Sequence, residues 1–191
     1  KGGQAVSVAA NLEDEQQTRG LMDQVIGALG PVDLLINNAS VFEEDSLARM
    51  TGSGWDRHFN IHVKAPSLLA GAFAEQQLDD GLIVNVIDER VWKLTPNFHS
   101  YTLSKSAMWT ATKTMAQALA PSVRVNAIGP GPTLPSDHQT QGEFDRQIQT
   151  LLLKRSPALS EFVDTILYFV TAKSVTGQMI ALDGGQHLGW Q

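Results

Sequence analysis

Tyr101 and Lys105 lie four residues apart at the start of a helical pattern, and Asp88 precedes the tyrosine by thirteen residues. One helical turn separates Tyr101 from Lys105, so both side chains share a face and can act on one bound molecule. A phenol has an ordinary pKa near ~10, and a neighbouring cation favours its ionised form. The pair is therefore suited to acid/base chemistry. The same spacing also fits a solvated polar face, so the surrounding elements must decide between the two interpretations.

Three apolar, strand-like runs end at polar residues or glycines. The runs are residues 32–36, 82–87 and 123–128. They are followed by Asn37-Asn38-Ala39-Ser40, by Asp88, and by Gly129-Pro130-Gly131-Pro132-Thr133. Because ligands bind at the carboxyl ends of parallel strands, each strand end offers groups to a common site.

Strand and helix patterns alternate along the chain, which predicts an α/β fold with a Rossmann-type doubly wound parallel sheet in three layers, αβα. We expect one domain over residues 1–191. Asp14, with Gln17 behind it, is a predicted helix N-cap, and Gly30-Pro31 a helix stop. The predicted strands are 5–9, 32–36, 82–87, 123–128 and 178–182, and the predicted helices are 14–29, 54–78, 100–120, 143–153 and 160–170.

Composition narrows the class of partner. The chain is 42% hydrophobic and 18% charged, with a formal net charge of −6 and no cysteine. These values favour a small-molecule substrate over nucleic acid or an anionic membrane. The absence of cysteine excludes disulfides and thiolate zinc sites. With no long apolar run in the sequence, we expect a cytoplasmic protein.

The order and spacing of these motifs resemble the short-chain dehydrogenase/reductase family. Its marks are an Asn-Asn-Ala-Gly turn, a Tyr-x-x-x-Lys helix and a Pro-Gly loop after the next strand, and the likeness runs from Asn11-Leu12 to Asp183-Gly184-Gly185. The resemblance implies an NAD(P)(H)-dependent oxidoreductase that transfers hydride to a small substrate. It also implies a homo-oligomer, a tetramer or a dimer.

The resemblance assigns roles to individual residues. Tyr101 corresponds to the family's proton donor, and Lys105 to the cation that lowers the tyrosine pKa and holds the nicotinamide ribose. By position, Asn11 and Leu12 are expected near the adenine, and Asn38 and Ala39 near the adenosine ribose. The backbone that is expected near the nicotinamide belongs to Pro130, Gly131, Pro132 and Thr133.

Asp88 stands where the family usually has a serine. A carboxylate prefers a substrate with N–H donors or a protonatable ring nitrogen, because it repels developing negative charge. This replacement resembles the pteridine reductase and dihydromonapterin reductase branch, which implies NADPH rather than NAD as the cofactor. Alternatively, Asp88 caps the loop that follows it and says nothing about the substrate.

His62 is a second departure, because it lies near the place of the family's relay asparagine. Imidazole can donate and accept protons, so His62 is a candidate proton relay. The competing interpretation is a hydrogen-bonded structural histidine between helix and sheet. His58 lies one turn earlier, but the sequence offers no third ligand, so we expect no metal.

The sequence contains no glycine-rich phosphate turn of the kind that opens a dinucleotide-binding sheet. By comparison with the family, a βαβ portion of about forty residues is expected upstream. Residues 129–141 are interpreted as a surface loop that acts as a substrate lid. Two alternative functions remain: a carbonyl or alcohol dehydrogenase of the same family, and a catalytically silent dinucleotide-binding scaffold.

Overall fold

The computed structural model describes residues 3–136 and 139–190. Its centre is a parallel sheet whose strands are β1 (Leu34–Asn37), β2 (Gly81–Val86), β3 (Val123–Pro130) and β4 (Met179–Leu182). They lie side by side in the order β1-β2-β3-β4. Because parallel strands cannot be joined by a tight turn, each connection crosses the sheet and contains helix.

The helices account for these crossovers. Helix α1 (Glu15–Leu29) precedes β1. Between β1 and β2 lie α2 (Gly52–Phe59), a π-helical turn (Asn60–Lys64) and α3 (Ala65–Ala74). Helix α4 (His99–Leu119) joins β2 to β3, and α5 (Gln141–Thr150) and α6 (Leu159–Thr171) join β3 to β4. Short 3₁₀ turns follow β2 at Glu89–Val91 and β4 at Gln186–Leu188.

Alternating residues of β2 build a core on both faces of the sheet. Ile83 is buried on one face with Phe73 and Ala116, from α3 and α4. Leu82, on the other face, packs with Phe169 of α6. Since successive side chains of a strand point to opposite faces, one strand anchors both helical layers. The predicted three-layer α/β Rossmann fold is confirmed.

The predicted cap of the first helix is also confirmed. Asp14 Oδ1 accepts hydrogen bonds from the backbone N–H groups of Gln16 and Gln17, at 2.9 and 3.1 Å. The Gln17 side-chain amide donates to Asp14 Oδ2 at 3.0 Å. Gly30 ends the helix with φ 86°, a conformation that glycine adopts without steric penalty.

Three predictions of secondary structure are wrong, one of which is the helix predicted over 143–153, which lies instead at Gln141–Thr150. Residues 5–9 form no strand, because the segment lacks a hydrogen-bonded neighbour in the described part of the chain. The predicted helix 54–78 begins instead at Gly52, where Thr51 Oγ1 caps the Gly54 N–H, and ends at Ala74. It is also interrupted by the π turn. Pro66 has no N–H to offer the carbonyl of His62, so the α-helical hydrogen-bond ladder cannot continue there.

In the ranges 3–136 and 139–190, no helix has both the length and the apolar character required to cross a membrane.

Candidate active site

A cavity of about 740 Å³ opens at the carboxyl ends of the strands. This volume is in the range of small-molecule and cofactor sites. The loops after β1, β2 and β3, the start of α4 and the start of α5 all contribute to its wall. The predicted site residues that line it are Asn38, Asp88, Tyr101, Lys105, Pro130, Gly131, Pro132 and Thr133.

Asp88 and Tyr101 are directly hydrogen-bonded in this cavity. The Tyr101 hydroxyl donates to Asp88 Oδ2 at 2.6 Å. The other carboxylate oxygen, Oδ1, accepts from the Arg90 backbone N–H at 2.8 Å. The capping interpretation of Asp88 therefore describes one of its contacts, and its predicted role toward a substrate stays a prediction.

Burial and this contact together raise the pKa of Tyr101, which is 6% exposed. Burial raises the pKa of Tyr101 well above its ordinary value, and the charge and hydrogen bond of Asp88 raise it further. The Arg90 guanidinium opposes this rise. The effect of Lys105 on the Tyr101 pKa stays a prediction. Tyr101 therefore keeps its proton across the neutral range, as an acid must before it donates.

Lys105 is buried below the tyrosine ring, with Nζ 5.7 Å from the ring centroid. Its ammonium donates to the Val86 backbone oxygen at 3.0 Å. An ammonium has three N–H donors, so two are without a partner among the described residues and can serve a ligand in the cavity. Burial lowers the pKa of Lys105 to about 8, while the Asp88 carboxylate opposes this shift. Lys105 is thus charged below about pH 8.

The loop after β3 is held against the end of β4. The Gly131 N–H donates to the Leu182 oxygen at 2.9 Å, and the Ser156 hydroxyl donates to the Pro132 oxygen at 2.7 Å. A Cβ at Gly131 would lie 2.6 Å from Asp183 Cα, which no real Cβ contact permits. Glycine is therefore required for this close approach.

Gly131→Ala is expected to lower the free energy of unfolding by about 1–3 kcal/mol, because the new methyl group overlaps a backbone that cannot move alone. The urea midpoint measures this loss. The control is Gly142→Ala, where the nearest neighbour of the added Cβ is an Arg146 nitrogen at 3.8 Å. Equal midpoints for Gly131→Ala and wild type would show that the loop yields without strain.

His62 is 2% exposed and has partners at both ring nitrogens. The Val41 N–H donates to Nε2 at 3.1 Å, and Ser40 Oγ lies 2.9 Å from the same atom. Nδ1 therefore carries the hydrogen and donates to Ser104 Oγ at 2.8 Å. The Val41 N–H is always a donor, so it holds Nε2 as an acceptor and does not let the ring exchange its proton there. These contacts support the structural interpretation of His62. The relay role stays a prediction.

The residues predicted to bind the adenosine half of the cofactor lie in different surroundings. The Asn37 side chain donates to Asn85 Oδ1 at 2.8 Å, between β1 and β2, and so ties the sheet together. Asn38 lines the cavity, whereas Ala39, Asn11 and Leu12 are absent from the described lining. Asn11 Oδ1 accepts from the Glu13 N–H at the start of α1. Adenine and ribose contacts for these residues remain predictions.

The sequence analysis missed several residues of the cavity wall. Phe42 stacks on Phe98 with ring centroids 4.3 Å apart, and its edge meets Tyr101 at 4.8 Å. Phe98 has φ 57°, a strained conformation for a bulky residue that its N–H bond to Asp45 O helps to hold. Ligands bind at the carboxyl ends of parallel strands, and this rule could have identified three further residues of the wall. They directly follow Asp88 and Asp183-Gly184-Gly185: Glu89, Arg90 and Gln186.

The predicted lid is only partly described. Leu134, Ser136 and Gln139 of this loop line the cavity, as does Gln147 of α5. Residues 137 and 138 lie outside the described ranges.

Comparison with known proteins defines the family. A model described as enoyl-(acyl carrier protein) reductase matches residues 1–187. L-xylulose reductase of Bos taurus is 30% identical over 189 residues, which cover 94% of this chain and 76% of that protein. The chain belongs to the short-chain dehydrogenase/reductase family of NAD(P)-dependent oxidoreductases.

Within this family, the chain is similar to the pteridine reductase-like branch. The crystal structure of FolM alternative dihydrofolate reductase 1 from Brucella canis, complexed with NADP, is 54% identical with a TM-score of 0.96. The match covers 100% of this chain and 76% of that protein. Dihydromonapterin reductase of Shigella boydii is 27% identical over 188 residues, 96% of this chain and 78% of that protein.

Proposed function

We propose that this protein is an NADPH-dependent reductase of a pterin ring. The observation that carries the proposal is the Asp88 carboxylate, which lies in the cavity and is hydrogen-bonded to the Tyr101 hydroxyl at 2.6 Å. A carboxylate at this place favours a substrate with N–H donors, because it would repel the developing charge on a ketone oxygen. The likeness to FolM and dihydromonapterin reductase supports the same substrate class.

The cavity fits the nicotinamide end of the cofactor. Two free N–H donors of Lys105 suit the ribose hydroxyls, and the fixed backbone of residues 130–133 offers polar groups beside them. NADPH, when bound, supplies the hydride. The preference for NADPH over NAD is supported by the NADP complex of the FolM relative.

Tyr101 is the acid of the proposed reaction. When hydride reaches the carbon of a ring C=N bond, the adjacent nitrogen needs a proton, and the Tyr101 hydroxyl is protonated and lines the cavity. Asp88 orients that hydroxyl and accepts a substrate N–H. The proposal includes a single domain over residues 1–191, a homo-oligomer and a cytoplasmic location as predictions.

The direct test is oxidation of NADPH by the full-length protein with dihydrobiopterin or dihydromonapterin, beside simple ketones and with NADH as the control cofactor. Turnover that depends on the pterin supports the proposal. Turnover of ketones alone would instead identify a carbonyl dehydrogenase. NADPH binding without any turnover would indicate a silent scaffold.

Asp88→Ser is expected to reduce kcat/KM for the dihydropterin about 10- to 100-fold and to leave or raise the activity with ketones. The hydroxyl of serine can bind a carbonyl oxygen but loses the charged acceptor for ring N–H groups. The measurement is kcat/KM with both substrate classes. Asp79→Ser, the same change at an exposed position, is the control. Equal losses with pterin and ketone would refute a substrate-selecting role for Asp88.

A further inference from the structure

Glu89 follows Asp88 and begins the 3₁₀ turn at the end of β2. It lines the cavity and is only 3% exposed. Its Oε2 is enclosed and has no hydrogen-bond partner among the described residues. A buried carboxylate oxygen without a donor is costly, because the group has lost its water without gaining a hydrogen bond. Such a group at the wall of a ligand cavity indicates a contact that the protein alone does not make.

Gln186 begins the 3₁₀ turn after β4. The two turns contact each other, and Gln186 also lines the cavity. Its Oε1 is likewise buried without a partner in the described part of the chain. Two unpaired acceptors therefore belong to turns that contact each other at the wall of the cavity. Neighbouring acceptors suit a ligand that presents adjacent N–H donors.

The charged groups around Glu89 do not pair with it. Within residues 3–136 and 139–190, no ion pair includes Glu89, and the Arg90 guanidinium carbon lies 4.8 Å from the Phe98 ring centroid. Burial raises the pKa of Glu89 to about 7, the Asp88 and Asp183 carboxylates add to the rise, and Arg90 and Lys93 oppose it. A ligand N–H would offset this cost of ionisation.

We infer that Glu89 is a specificity-determining residue, whose carboxylate binds the amino-substituted N–H edge of the substrate ring, with Gln186 Oε1 as the second acceptor. The inference rests on the proposed function and specifies it. The substrate is a nitrogen heterocycle that carries an amino group beside a ring N–H. Tyr101 and Asp88 then act on the reducible bond, while Glu89 and Gln186 select the ring.

The test compares a dihydropterin with its 2-oxo analogue, a dihydrolumazine in which a carbonyl oxygen replaces the amino group. In Glu89→Gln, kcat/KM for the amino-substituted ring is expected to fall about 10- to 100-fold, because a charged acceptor is lost. The value for the 2-oxo analogue should hold or rise, since the glutamine amide can donate to its oxygen. Gln186→Leu should give a smaller loss, confined to the amino-substituted ring.

Glu75→Gln, at an exposed position outside the described cavity wall, is the matched control. The wild-type kcat/KM for the amino-substituted ring should rise as pH rises through about 7, because only the ionised Glu89 accepts two N–H bonds, and Glu89→Gln should lack this rise. Equal losses with both rings in Glu89→Gln would overturn this inference but leave the proposed function standing. Failure of the wild-type enzyme to reduce either ring would contradict the proposed function, and the inference would fall with it.

Discussion

Tyr101→Phe is expected to reduce kcat about 10²- to 10⁴-fold while leaving NADPH binding nearly unchanged. The variant removes only the hydroxyl that donates to Asp88, and the ring keeps its packing against Phe42 and His62. Steady-state kinetics with the dihydropterin and fluorescence titration with NADPH measure the two quantities separately.

The chain supplies a matched control for this change. It contains two tyrosines, and Tyr168 on α6 is 49% exposed and lies outside the described lining of the cavity. Tyr168→Phe removes the same hydroxyl group and should leave kcat unchanged. If Tyr101→Phe kept wild-type turnover, the proton would have to come from another group, and the assignment of Tyr101 as the acid would be wrong.

Lys105→Met is expected to weaken NADPH binding as well as turnover, with a loss of at least about 100-fold in kcat/KM. The ammonium donates to the Val86 oxygen, and its remaining donors are assigned to the ribose, so the variant loses cofactor affinity that Tyr101→Phe retains. Lys113→Met, on an exposed face of the same helix, is the control. An unchanged Kd for NADPH would contradict the ribose-holding role.

The lowered pKa of Lys105 predicts how kcat/KM and the free energy of unfolding depend on pH. Because the folded-state pKa is lowered to about 8, the ammonium loses its proton as pH rises through 8, and kcat/KM of the wild type should fall there. The folded protein binds this proton less tightly than the unfolded chain does, so the charged lysine destabilises the fold below pH 8. Lys105→Met should therefore unfold in urea no earlier than wild type at pH 7.

Elements with their own periodicity and caps could be predicted from sequence. The first helix is an example, since Asp14 and Gly30 act within a few residues of the helix they bound. The strand at residues 5–9 failed as a prediction because a strand exists only through its neighbour. The π turn was missed because the effect of Pro66 on one carbonyl is not visible in an apolar pattern.

The same distinction applies to the site. The shared face of Tyr101 and Lys105 follows from helix geometry. The rule that ligands bind at the carboxyl ends of parallel strands correctly predicted the edge of the sheet at which Asp88 and Asn38 lie. The hydrogen bond between Asp88 and Tyr101 depends on how α4 packs on β2, so the direction of the tyrosine pKa could not be predicted. Glu89 and Gln186 line one cavity because two turns distant in sequence contact each other.

Histidine is the first residue to consider when the activity of an enzyme changes between about pH 5 and 8. In this protein, burial and the charges of Lys105 and His58 lower the pKa of His62 to about 3. The imidazole therefore stays neutral through that whole interval and continues to fasten the loop after β1 to helix α4. This anchor of the loop after β1 therefore does not titrate between about pH 5 and 8, and a pH profile in that interval reports on other groups, such as Glu89 in the cavity wall.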